Sequence, residues 1–160
     1  MVVWVEPVFD RTEADVEFAR EQIAKWTKLS LNTLQTTREL KGCLNASDLT
    51  RIETNIQYLS DVLDEYGYNP HVSCKNWKRS DLPTERDIRR ILSNVKQLIS
   101  SYHQLPDSPN VPNNMAHYSD INNIEKNLHN IKLLLDAMAN SFPVSGAIKS
   151  GGLRMLPIRR

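Results

Sequence analysis

Residues 45–63, NASDLTRIETNIQYLSDVL, decide the fold, because the chain writes them again. Asp48-Leu49-Thr50-Arg51-Ile52-Glu53-Thr54-Asn55-Ile56 lines up with Asp87-Ile88-Arg89-Arg90-Ile91-Leu92-Ser93-Asn94-Val95. Both line up with Asp120-Ile121-Asn122-Asn123-Ile124-Glu125-Lys126-Asn127-Leu128. One formula covers all three: Asp, apolar, two variable, Ile, two variable, Asn, apolar, two variable, apolar. The final position holds Leu59, Leu98 and Ile131. A fainter copy, Asp15, Val16, Ala19, Gln22, Ile23 and Trp26, opens the chain. The leading aspartates are 33, 39 and 33 residues apart. A period of this size marks a repeat architecture, in which each copy buries its apolar face only against its neighbours.

At about 100° per residue, the apolar positions fall within a single stripe of roughly 80°, so each copy is an amphipathic helix. The Asn sits at the edge of that stripe. It is either a polar ligand-binding position or a half-buried amide bonding the backbone of a neighbouring segment, as buried polar groups must. A threefold recurrence suits the structural role. Thr12-x-x-Asp15, Asn45-x-x-Asp48 and Thr84-x-x-Asp87 place a capping residue three before an acid, a capping box with Asp in the Glu position. The third strong copy has His117 at the cap, with Ser119 or Asn114 as alternatives.

Composition bounds the answer to one domain with tails: 160 residues, 40% hydrophobic, 24% charged, ordinary for a chain that buries a core. A net charge of +1 gives no general pull toward nucleic acid or membrane. Cys43 and Cys74 sit in no metal spacing, and reduced thiols are the expectation for a chain synthesised in the cytoplasm, with a Cys43–Cys74 bridge as the alternative. No apolar run approaches the length of a membrane span, and the N-terminus lacks a basic signal-peptide region.

In order, residues 1–9 form an extended arm. Val3, Trp4, Val5 and Val8 give it strand preference, and Pro7 confines it to an edge. Two readings stand: an arm that adds to a partner's sheet edge, or a strap over the chain's own core. Helices are predicted from Asp10 or Thr12 to about Lys28, from Ala46 to about Tyr66 with Gly67 just past its end, from Glu85 to Tyr102, and from Ser119 to Ala139. Between the first two, residues 29–40 read as helical continuation or irregular connection. Residues 68–82 form a loop in which Trp77 is a plug for the core; His71-x-x-Cys74 is at most half a zinc site. Residues 103–116, with Pro106, Pro109 and Pro112, form a stiff connection. Arg86, Arg89 and Arg90 are expected on the outer face of the third helix. Residues 141–160 carry Lys149, Arg154, Arg159 and Arg160 and no acid. Ile148, Leu153, Met155, Leu156 and Ile158 make this tail too apolar for a purely solvated one, so it is expected to order on a partner or on another copy.

There is no Gly-rich phosphate loop, GxSxG, HExxH or CxxC. The carboxylates are explained by caps and surface faces. No catalytic, cofactor or metal residues are assigned, and the chain is not read as an enzyme.

Three stretches carry a resemblance. The first has Trp4, Pro7, Asp10, Arg11, Thr12, Asp15 and Val16; the second Lys41-Gly42, Leu44, Asn45, Asp48, Leu49, Arg51, Ile52, Glu53 and Asn55. The third has Trp77, Pro83, Thr84, Asp87, Ile88, Ile91 and Asn94. Together they resemble a helical module of structural proteins from tailed phages and prophages of Gram-positive bacteria, found alone or on tail-fibre and baseplate polypeptides. The likeness covers roughly residues 1–140. It implies a virion component in the tail, made in the host cytoplasm, whose partners are other tail subunits and copies of itself.

The expectation is an all-α fold: a small bundle of about four repeat-related helices over residues 10–140, an arm at 1–9 and a basic tail at 141–160. Asp48, Asn55, Asp87, Asn94, Asp120 and Asn127 are its structural repeat positions. Val3, Trp4, Val5 and Val8 at one end, and Ile148, Leu153, Arg154, Met155, Leu156, Ile158, Arg159 and Arg160 at the other, are its partner-binding candidates. The alternative is a helical adaptor or regulator that binds nucleic acid through Arg86, Arg89, Arg90 and the tail.

Overall fold

The computed structural model describes the backbone of residues 2–26 and 39–154, and the side chains of residues 2–25 and 39–141. The described elements are four helices: α1 (Glu13–Trp26), α2 (Ala46–Glu65), α3 (Glu85–Ser101) and α4 (Tyr118–Arg154). The chain is all-helical over these residues. The questions of residues 29–38 and of Met155, Leu156, Ile158, Arg159 and Arg160 lie outside the described residues, as do the side chains of Ile148, Leu153 and Arg154.

The repeat formula becomes the core. Leu49, Ile52, Ile56, Leu59 and Leu63 of α2 are buried against Ile91, Val95 and Leu98 of α3 and against Ile121, Ile124, Leu128, Ile131 and Leu135 of α4. Each such side chain removed from water contributes about 1.5–3 kcal/mol before ordering costs. All three pairs of these helices pack on one another.

The three helices run parallel. Arg51, three residues past its aspartate, meets Glu125, five past its own. Arg90 meets Glu53 with the same offsets. At the other end the Tyr102 hydroxyl lies 3.6 Å from the Met138 sulfur, and the Tyr68 and Tyr102 rings are 5.0 Å apart. Parallel neighbours require a return segment as long as a helix, and the proline-bearing stretches supply it. We call residues 2–11 strap 1, residues 68–83 strap 2 and residues 103–116 strap 3. Strap 2 leads into α3 and strap 3 into α4, while strap 1 precedes α1; each covers a groove between two of the three packed helices, which close a ring.

The faint first copy does not join this ring. Among the described side chains of α1, Ala19 is the one formula position that is buried, while Ile23 is 42% exposed and Phe18 is exposed. Alanine in the Ile position is too small to anchor a core face. The expected all-α bundle of about four repeat-related helices is observed as four described helices, of which α2, α3 and α4 pack on one another and α1 lies beside them. α1 is seated by Gly42, where a Cβ would lie 2.0 Å from the Asp15 carbonyl oxygen; only glycine allows that approach. Lys41 adds an ion pair to Asp10 at 2.9 Å and to Asp15 at 3.7 Å.

The caps follow the sequence, with one change. Thr12 and Thr84 exchange hydrogen bonds with Asp15 and Asp87, and the Asn45 N–H donates to Asp48 at 2.9 Å. Before α4, neither Ser119 nor Asn114 takes the cap. Asp120 accepts the N–H groups of both Ala116 and His117, and the Asn114 Oδ1 shares the Ala116 N–H at 3.2 Å. Gly67, at φ +85, ends α2 in the left-handed region that glycine tolerates. α4 passes the expected end at Ala139 and runs to Arg154. Pro143 and the glycines there lower helix propensity without forbidding helical backbone.

Candidate functional site

The polar residues of the repeat converge on the straps. In the α2–α4 groove, Asn55 holds strap 1 as a backbone would. Its Oδ1 accepts the Val5 N–H at 2.9 Å and its Nδ2 donates to the Val5 carbonyl at 2.7 Å. Six residues on, Asn122 of α4 repeats this with Arg11, at 3.2 and 2.9 Å. Between the two amides, Glu125 accepts the Val8 N–H at 2.6 Å. Trp4 packs on the core beside Tyr58, ring centroids 5.6 Å apart, Pro7 is buried, and Phe9 meets His129 at 5.2 Å.

Under this strap lies a closed set of four charges. The Arg11 guanidinium reaches Asp48 at 2.8 Å and Glu125 at 3.1 Å. Arg51 reaches Asp48 at 2.6 Å and Glu125 at 2.7 Å. Arg11 is 4% exposed and Glu125 0%. Buried charges of this kind persist only when paired and hydrogen-bonded. Burial alone would raise the Asp48 carboxyl, but the Asn45 N–H, the Arg51 and Asn45 side chains and the Arg11 charge outweigh it and hold it below the usual range. Burial likewise works against the Arg51 charge, yet Glu125 and Asp48 raise its pKa. Both groups are locked in their charged forms at neutral pH. This arrangement fixes geometry and does not poise a proton for transfer.

The α2–α3 groove is a second version. Asn94 accepts the Ser73 N–H at 3.2 Å and donates to its carbonyl at 2.8 Å. Glu53, 2% exposed, takes Arg90 at 2.8 Å and the Trp77 indole N–H at 3.2 Å. Lys75 lies 4.0 Å over the Trp77 ring. Burial, with the Glu53 charge, pushes the Cys74 thiol up to about 12, which keeps it unreactive near neutrality. The α3–α4 groove is a third version without charge. Asn127 donates to the Pro109 carbonyl at 2.9 Å. Proline has no N–H to return, and Gln104 bonds the free Asn127 oxygen at 3.2 Å.

Several assignments from sequence change here. Glu53 and Glu125 are not surface or cap carboxylates but buried anchors. Arg90 does not lie on the outer face of α3 with Arg86 and Arg89: it turns inward to Glu53 and the Ser73 carbonyl, because a buried acid beside it needs a partner. That removes one of three arginines from the basic face. The N-terminal arm is the strap of the two readings: its Val5 N–H and carbonyl are bound within the chain. Val3, 72% exposed, and Val5 still turn side chains outward. His71 is exposed, and no group of three or more His, Cys, Asp or Glu stands close enough to hold a metal ion among the described residues. No described helix is long and apolar enough to cross a membrane.

Sequence reading named Arg11, Arg51 and Glu53 only as residues of the resemblance and Arg90 as a surface cation; the anchoring role of these four, and of Asn122 and Glu125, escaped it. For Arg51, Arg90, Glu53 and Glu125 the signal was a second formula inside the first: Arg at the third position after the aspartate in two copies, Glu at the fifth in two; Arg11 and Asn122 follow no such formula.

No protein-family model, no curated protein and no solved structure matches the chain.

Proposed function

We propose that this protein is a structural component of a phage tail, in the tail fibre, the baseplate or a connector, acting by subunit assembly. One observation carries the reading: the residues that bear the resemblance to phage tail modules are those that hold the straps. Trp4, Pro7 and Arg11 seat strap 1, Asp48, Arg51 and Asn55 receive it, and Trp77 and Asn94 do the same for strap 2. A shared motif made of strap anchors describes a rigid body, and one with Val3 and Val5 turned outward suits a symmetric assembly.

Mass spectrometry of purified phage particles, induced from the strain that encodes the chain, tests it. A fixed copy number relative to the major tail protein, in a small multiple of three or six, is the expected outcome. Absence from intact particles, with the protein abundant in the lysate, overturns it. Deleting residues 146–160 is expected to leave the bundle folded by circular dichroism and to abolish incorporation.

A further inference from the structure

Strap 1 differs from the others in how it reaches its helix. Strap 2 turns directly into α3 at Thr84 and strap 3 into α4 at His117, whereas α1 and residues 27–45 stand between Arg11 and α2. The groove has walls of its own: α2 and α4 pack on each other and are tied by Arg51 and Glu125. Strap 1 meets those walls as a bound peptide would. Two asparagines clamp its backbone at Val5 and Arg11. Trp4 and Pro7 fill apolar positions, and Arg11 inserts a cation between Asp48 and Glu125.

We propose that the α2–α4 groove is a recognition site for an extended segment of the form Trp-x-x-Pro-x-x-x-Arg, and that in the assembled state residues 2–11 of a second copy fill it. This names the contact of the assembly reading above and rests on it. The same contacts form within one chain or between two, so local concentration selects between them. A tethered strap sees its own groove at about millimolar effective concentration, and subunits gathered in an assembly offer one another a comparable value. Exchange of an identical element is a low-cost route to joined copies. Twelve residues, 27–38, join α1 to the Lys41 side of the groove, and twelve residues span at most roughly 40 Å, which limits how far strap 1 and α1 could reach to a neighbour. There Asp10 of the donor would meet Lys41 of the acceptor, the pair that lies 2.9 Å apart here.

That pair gives the test, on the wild-type full chain. Equal amounts of nitrogen-14 and nitrogen-15 protein are mixed over a concentration series to about millimolar. A carbodiimide then couples Lys41 to Asp10, and the cross-linked peptides are weighed. Exchange gives mixed-isotope Asp10–Lys41 peptides that rise with concentration toward half of that product. Same-isotope pairs alone at every concentration overturn the proposal. In a second arm only the heavy chain carries Trp4→Ala. The species joining a heavy strap to a light groove is then expected to fall several-fold, while the reverse species persists. Equal behaviour of the two overturns strap recognition as the cause. Neither readout depends on whether the chain occurs in phage particles.

Discussion

The α2–α4 and α3–α4 grooves perform the same task with different chemistry. Both receive a strap, and both use the repeat asparagine to hold it. The first adds four buried charges and a second amide clamp; the third-version groove has Asn123 where α2 and α3 carry Arg51 and Arg90, and Leu92 where α2 and α4 carry Glu53 and Glu125. The strap clamp is therefore the general device of this fold, and the charges are an addition. They are concentrated where the first and last helices of the ring meet, 74 residues apart in sequence, which is the pairing that local connectivity does least to enforce. A buried ion set that tolerates only one register would specify that closure.

Breaking the charged groove should give the largest effect. Glu125→Ala leaves Arg11 and Arg51 sharing Asp48 and removes the acceptor of the Val8 N–H. An uncompensated buried charge costs about 3–5 kcal/mol, to be read as a lower urea midpoint. Leu92→Glu transfers the problem to the uncharged groove, with a comparable loss, and adding Asn123→Arg is expected to recover most of it. If the double variant is no better than the single, position rather than pairing explains the two charged grooves.

The clamps rank next. Asn55→Ala strands both the N–H and the carbonyl of Val5, about 2–3 kcal/mol for two buried groups. Asn127→Ala strands one strap group, because Pro109 has no N–H, and is expected to cost about half as much. Equal losses would show that Gln104 and Asn127 make the third clamp as strong as the first.

Acid should separate the grooves too. The folded pKa of Asp48 is depressed, so its contribution is present above the unfolded value of about 3.9 and is lost as pH falls through the lower folded value. Stability of the wild type is therefore expected to drop on acidification below about pH 4. In Asp48→Asn that part of the acid dependence should be missing, and the two stabilities should converge as pH falls. A pH series of denaturant midpoints measures it.

The fold was legible where pattern is periodic, and the site where it is not was missed. The stripe of Ile52, Ile56 and Leu59 and its two echoes place all three helix starts and the ends of α2 and α3 within one or two residues, since burial at a 3.6-residue period leaves a direct trace, whereas α4 continues well past its expected end at Ala139 to Arg154. The parallel direction left none: it follows from which side chains meet across helices. Arg90 looked like surface because Arg86 and Arg89 beside it are, and only the position of Glu53 on another helix turns it inward. The fate of the N-terminal arm depended on a groove formed by residues 37 or more positions away. Trp77 was legible, because a lone indole in a polar loop has few ways to avoid water except the core.

The smallest expected effect compares two helix starts that differ in one group. The Thr84 hydroxyl oxygen accepts the Asp87 N–H, and the Asp87 carboxylate accepts the Thr84 N–H in return. His117 takes the Asp120 carboxylate on its N–H but has no hydroxyl to give. Thr84→Ala is therefore expected to cost about 1 kcal/mol. His117→Ala should change stability little, because it leaves the backbone N–H and Asp120 in place. His117→Thr completes the missing half of the box and is expected to gain a few tenths to about 1 kcal/mol. Urea midpoints at unchanged slope would read all three. A gain for His117→Thr would mean that the start of α4 is capped less fully than that of α3; no gain would mean that Asp120, by holding two N–H groups at once, already supplies what the threonine box supplies elsewhere.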